Sequence, residues 1–98
     1  MEHYARAAVA QFEGSESTRL ARLREAFELE RKAADQAHTH SAPEPSRSIY
    51  HRGAAALAID IGEHNEARRL IGQARLGDPP AYVKSDLDEM EDRISFIG

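Results

Sequence analysis

The residues of this 98-residue chain best suited to metal binding or proton transfer are its five histidines and seventeen acidic side chains. His38-x-His40 sets two imidazoles close together, and His3, His51 or His64 would have to supply the third ligand of a zinc-type site. No carboxylate stands at a fixed ligand spacing from that pair, and the pair lies in a polar stretch. The spacing therefore supports solvated loop histidines and no metal site. A second group, Asp60, Glu63, His64 and Glu66, gathers carboxylates and an imidazole around one turn, which is the inventory of general acid–base chemistry. Catalytic pKa values need enclosure, whereas a turn between layered helices is expected to be convex. Capping and dipole compensation account for these residues, with Glu66 in a first helical turn. A third group, Arg19, Arg22, Arg24, Arg31 and Lys32, is the raw material of a phosphate-binding stripe. Its uneven steps scatter it around a helix, and Glu25, Glu28 and Glu30 intervene, which describes a solvated face of mixed charge.

Composition narrows the classes further. The absence of cysteine excludes a disulfide scaffold, a thiolate zinc site and a cysteine nucleophile together. A net charge of −4 argues against binding dominated by nucleic-acid phosphates. No apolar run approaches the roughly 18 residues of a membrane span, and no leader pattern opens the chain, so a cytoplasmic protein without membrane contact is expected. Neither a cofactor nor a catalytic set is implied, and the expectation is a protein that is not an enzyme. The apolar share of 41% leans on alanine, with no Trp and only three Phe and three Tyr. Such a chain has room for one modest core made by close backbone approach, which suits thin helical layers and favours self-association.

Helical periodicity places the elements. Tyr4, Ala7, Ala8 and Phe12 share one face of a first helix over residues 2–13, with Gly14 as its stop. Leu20, Leu23, Phe27, Ala34 and Ala37 mark a long second helix over 17–38, rich in strong helix formers. The stretch from His38 to Ser46 carries Pro43 and Pro45 and no periodicity, so it reads as a loop. Segment 46–61 is apolar in nearly every direction, which predicts a central helix buried between several neighbours. Gly62 closes it, Ala67, Leu70, Ile71 and Ala74 face the core from a fourth helix, and Gly77 ends that one. Asp78 then reads as the N-cap of a fifth helix opening on Pro79 and Pro80, with Val83, Leu87, Met90, Ile94 and Ile97 along one stripe and an acidic opposite face.

The run from Ser48 to Pro80 resembles a tetratricopeptide repeat. The family pattern W-x2-L-G-x2-Y falls on His51, Ala54, Ala55 and Ala58, its A-x3-F on Ala67 and Ile71, its later alanine on Ala74 and its closing proline on Pro79. The string from Tyr50 to Pro80 is similar to small bacterial tetratricopeptide-like proteins of no settled activity. The separation of Tyr4 from His51 exceeds the family period of about 34 residues, so the first unit is tetratricopeptide-like in shape only.

The resemblance implies an all-α fold of antiparallel helical hairpins, the α-α superhelix type, in one domain of about five helices. Residues 1–38 would form a degenerate first hairpin, 39–47 a proline loop, 48–77 the repeat-like hairpin and 78–98 a capping helix. It also implies a protein or peptide partner, with Ile49, Arg52, Ala56, Ile59 and Asp60 facing the groove and Tyr50 beside them. Ala56 stands where a carboxylate clamp would carry Asn, so the full clamp is missing. A second copy of the chain is an equally suitable occupant of this apolar face.

Overall fold

The computed structural model describes the backbone from Glu2 to Ile97 and the side chains from Glu16 to Phe96. The described residues form four helices: α1 (Glu2–Thr39), α2 (Ser46–Asp60), α3 (His64–Arg75) and α4 (Ala81–Ile97). The separate helices expected over 2–13 and 17–38 are one continuous helix, so the described residues hold four helices where five were expected, and no hairpin lies within residues 2–38. A glycine inside a helix costs only about 1 kcal/mol relative to alanine. That cost is too small for Gly14 alone to stop the helix, which runs on through Ser15 and Ser17. The face proposed on Tyr4, Ala7, Ala8 and Phe12 lies outside the described side chains.

Helix ends follow local backbone chemistry. At the end of α2 Gly62 takes φ +79°, and the N–H groups of Gly62 and Glu63 donate back to the carbonyls of Ile59 (3.0 Å) and Ala58 (2.8 Å). This is the paired bonding of a glycine-terminated helix, which satisfies carbonyls the helix itself leaves open. α1 ends the same way without glycine. Ser41 adopts φ 52°, while Ser41 N–H donates to His38 O (3.2 Å) and Ala42 N–H to Ala37 O (2.8 Å). α4 starts later than expected. Its first turn hangs from Pro80, whose carbonyl accepts from Val83 and Lys84 N–H at 3.0 Å each. The helix begins at Ala81, so Pro80 and not Asp78 stands at its N-terminal boundary, and Pro80 in turn disfavours the helical conformation at Pro79.

α2 is the hub and packs against all three other helices. Alanine makes this possible: Ala54, Ala55 and Ala58 on α2, Ala34 on α1, and Ala67 and Ala74 on α3 are fully buried, so the backbones approach closely. The larger side chains Leu70, Ile71, Val83, Leu87 and Ile94 fill the layer between α3, α4 and α2, with Phe27 entering from α1. Burying each contributes about 1.5–3 kcal/mol. Leu57 is half-buried and packs against the edge of this core. α1 reaches past this body, because every described side chain from Glu16 to Arg22 is exposed and Leu20 is 38% exposed.

Candidate functional site

Two places on α2 gather the chain's recognisable chemistry. The first is its uncovered face. Ile49 (36% exposed) and Tyr50 (44% exposed) stand at its N-terminal end, Ala56 is half-buried further along, and Asp60 is exposed at the last turn. Arg52 borders this face on the α4 side. Its guanidinium donates to Asp86 at 3.0 Å and lies 5.8 Å from the ring centre of Tyr82. On the α1 side the open surface narrows at Gly53, where an added Cβ would sit 3.1 Å from a Glu30 carboxylate oxygen. Ile59, expected to join this face, points the other way: it is 8% exposed and belongs to the core. At 100° per residue Ile59 lies only about 40° around the helix from Ala55, which is fully buried, and so follows it inward at the edge of the buried arc.

The second place is a polar junction where α1 ends, α2 begins and α3 ends. The apolar-all-round reading of α2 missed it, because Arg47 (6% exposed), Ser48 and His51 (both fully buried) form a polar patch at its N-terminal end. Arg47 donates through Nη1 to Ala74 O (3.2 Å) and through Nη2 to Gln73 O (2.8 Å) and His38 Nδ1 (2.7 Å). A cation is thus set on the C-terminal carbonyls of α3, where the helix dipole favours it. Glu44 does the complementary work at the N-terminus of α2. Its carboxylate accepts from Ser48 N–H (2.9 Å) and Ser48 Oγ–H (2.6 Å), and from Asp78 N–H (2.8 Å) in the α3–α4 connection. Burial raises the Glu44 pKa, but the hydrogen bonds from Ser48 and Asp78 and the nearby Arg47 outweigh it, and the carboxyl ends below its ordinary value.

His51 links this junction to α1. Its ring nitrogens bond Arg47 O (2.7 Å, Nδ1) and Gln73 Nε2 (2.9 Å, Nε2), and Gln73 Nε2 also reaches Asp35 Oδ1 at 3.0 Å. Asp35 in turn accepts from Arg69 Nη1 (3.0 Å) and Nη2 (3.3 Å). Burial opposes its charge, yet these donors hold the Asp35 pKa below the usual carboxylate value. His38 is therefore no solvated loop residue. It lies in the last turn of α1, half-buried, with its ring edge-on to His51 at 6.3 Å between centres. His40 is exposed. Among the described residues no group of three or more His, Asp or Glu side chains is arranged to hold a metal ion.

The acidic turn does border a hollow, contrary to the convex surface expected. A cleft of about 400 Å³ lies between α1 and the α2–α3 turn, lined by Arg24, Phe27, Glu28, Arg31, Ile61, Glu63 and Glu66. Each carboxylate there has an arginine: Glu28–Arg31 at 2.7 Å, Glu63–Arg24 at 3.8 Å and Glu66–Arg69 at 2.5 Å. Three of the basic residues of α1 thus stand beside carboxylates: Arg24, Arg31 and Arg19, the last 3.6 Å from Glu16. At the far end Arg75 joins α3 to α4 through Asp88 (2.6 Å) and Glu91 (2.8 Å). Exposed pairs of this kind orient surfaces and add little stability.

No protein-family model, curated protein or solved structure matches this chain. The molecule defines a class by its shape alone, an all-α fold of four helices around a central α2. No helix among the described residues is long and apolar enough to cross a membrane.

Proposed function

We propose that this chain is a non-enzymatic protein–protein interaction module of tetratricopeptide-like type, which receives a partner on the uncovered face of α2. The observation that carries this reading is the pairing of exposed Ile49 and Tyr50 on the helix that every other element packs against. Apolar side chains left open at the hub of a small fold mark a contact surface more than chance exposure at its rim. The glycine turn at Gly62, the buried small residues Ala54, Ala55 and Ala58, and the buried Ala67, Ile71 and Ala74 support the repeat-like part of the reading. Against an enzyme stands the use made of the polar side chains: the carboxylates beside the cleft are paired with arginines, and the His38–Arg47–His51 group is spent on internal hydrogen bonds.

The partner is another protein or a second copy of this chain, and sedimentation at micromolar concentration separates the two. A monomer that gains no mass as it is concentrated removes the self-association branch. In either case a double substitution, Ile49→Asp with Tyr50→Asp, should abolish the complex and leave the thermal melt within a few degrees of wild type. A complex that survives it places the contact elsewhere.

A further inference from the structure

The buried polar junction can exist in only one protonation pattern. Arg47 can donate but never accept, so the His38 Nδ1 that it meets at 2.7 Å must carry a lone pair. His51 faces the carbonyl of Arg47 with Nδ1, which must therefore hold the proton, and this leaves Nε2 as an acceptor for the Gln73 amide nitrogen. The orientation of that amide is itself fixed. Its nitrogen also meets the Asp35 carboxylate, and its oxygen accepts from Arg69 Nη1 at 3.4 Å. Both histidines are thus neutral in this geometry, with opposite tautomers, and each nitrogen that could take another proton already faces a donor.

We propose that this junction is an acid-sensitive latch, which holds the C-terminal half of α1 against α2 and α3 while His51 is neutral and lets it go when His51 takes a proton. The chain of consequences is short. A proton on His51 Nε2 would point at the Gln73 NH2 group. Relief requires the amide to flip, which sets its oxygen against the Asp35 carboxylate and its NH2 against Arg69. The α1–α3 contact then loses the Gln73–Asp35 bond, and a new positive charge stands beside Arg47 at a fully buried position.

The groups acting on His51 come from each neighbouring element. Arg47 on its own helix and His38 on α1 oppose protonation, while Asp35 on α1 favours it but is already engaged by Arg69 and Arg31. Burial is the largest influence and, with Arg47 and His38, outweighs the bond to Arg47 O, so the His51 pKa lies below its ordinary value. A histidine of depressed pKa contributes stability in full above its unfolded value of about 6.5, and that stability is lost as pH falls below it. The opening constant of the α1 edge then rises by up to about tenfold per pH unit for each proton taken up.

Amide hydrogen exchange between pH 7.5 and 5.5, corrected for the intrinsic rate, reads this directly. Protection over Ala33–Thr39 should fall about tenfold by pH 5.5 while that of α4 holds, and His51→Gln, which keeps a donor and an acceptor, should remove the pH dependence. Ring NMR of His51 in the wild-type protein serves even where the variant does not fold. A proton on Nδ1 and a titration midpoint below the ordinary histidine value support the latch. A midpoint at or above that value overturns it, as does protection that does not change with pH.

Discussion

Arg47 is the side chain whose loss the fold should feel most for its exposure. Truncation to alanine removes three charge-assisted hydrogen bonds, to Gln73 O, Ala74 O and His38 Nδ1. Hydrogen bonds to charged groups contribute about 1.5–3 kcal/mol each, but a simple sum overshoots here. Gln73 O and Ala74 O also accept from Leu76 N–H (3.3 Å) and Gly77 N–H (3.2 Å), so neither carbonyl is orphaned. The lasting costs are the His38 nitrogen left without its donor, the Glu44 carboxylate left without its nearby cation, and the void of the buried stem. Together these put the loss at about 3 kcal/mol, within the range of roughly 3–5 kcal/mol for breaking a buried charged contact from one side. At about 4–8 °C per kcal/mol for a domain of this size, the melting temperature should fall by roughly 12–24 °C. Urea unfolding followed by far-UV circular dichroism at pH 7.5 measures it. Arg47→Lys sharpens the test, since one ammonium cannot span two carbonyls and an imidazole and should recover less than half of the loss. A loss under about 1 kcal/mol for Arg47→Ala, the level of an ordinary surface change, would refute the view that this junction ties the helices together.

Other substitutions probe other parts of the structure. Gly77→Ala would drive a methyl group into the Arg47 guanidinium and to 3.0 Å from Glu44, and should cost about 1–3 kcal/mol as overpacking does, seen as a lower urea midpoint. Ser41→Gly removes the penalty of a left-handed serine at the end of α1 and should raise stability by about 0.5–1 kcal/mol, read from the same curve. Ala67→Glu buries a carboxylate at a fully enclosed position and should abolish cooperative unfolding, whereas an unchanged melt would contradict the α2–α3 packing. Acid should act in a second, lower window than the histidine one. Glu44 and Asp35 have pKa values depressed in the folded state, so their contribution is present above the unfolded value near 4 and is lost as pH falls through the folded one. Glu44→Gln should flatten the pH dependence of urea unfolding below pH 4.5 and leave the slope between 7.5 and 5.5 untouched.

The repeating apolar positions disclosed the packed faces well, because burial periodicity is a local property of a helix. Ala67, Leu70, Ile71 and Ala74, and Val83, Leu87, Met90 and Ile94, are all buried where their spacing placed them. Gly62 ended α2 for the reason a glycine usually does. Gly14 failed as a stop because a single glycine is too weak a penalty to end a helix. Of the face proposed for partner binding, Ile49, Tyr50, Arg52, Ala56 and Asp60 surround open surface, whereas Ile59 turned inward beside the fully buried Ala55.

The polar junction was hidden for a different reason. Its members come from four parts of the chain, Asp35 and His38, Glu44 to His51, Arg69 and Gln73, and Asp78, and nothing in their spacing announces that three helix ends converge. One signal was available. Arg47, Ser48 and His51 recur on a single face of an alanine-rich helix, and polar residues so placed need buried partners. The arginine over the α3 carbonyls and the carboxylate under the α2 N-terminus supply them.

Position-resolved photo-crosslinking tests the central claim most directly. A crosslinking amino acid is placed in turn at positions 49, 50, 56 and 60 of the native chain in its own cell, and at 76 and 96, where Leu76 and Phe96 are the most exposed large apolar residues among the described side chains. Adducts of one discrete mass from the α2 positions, and none from 76 or 96, are the expected result. Adducts confined to 76 or 96 would contradict the assignment of partner binding to the open face of α2.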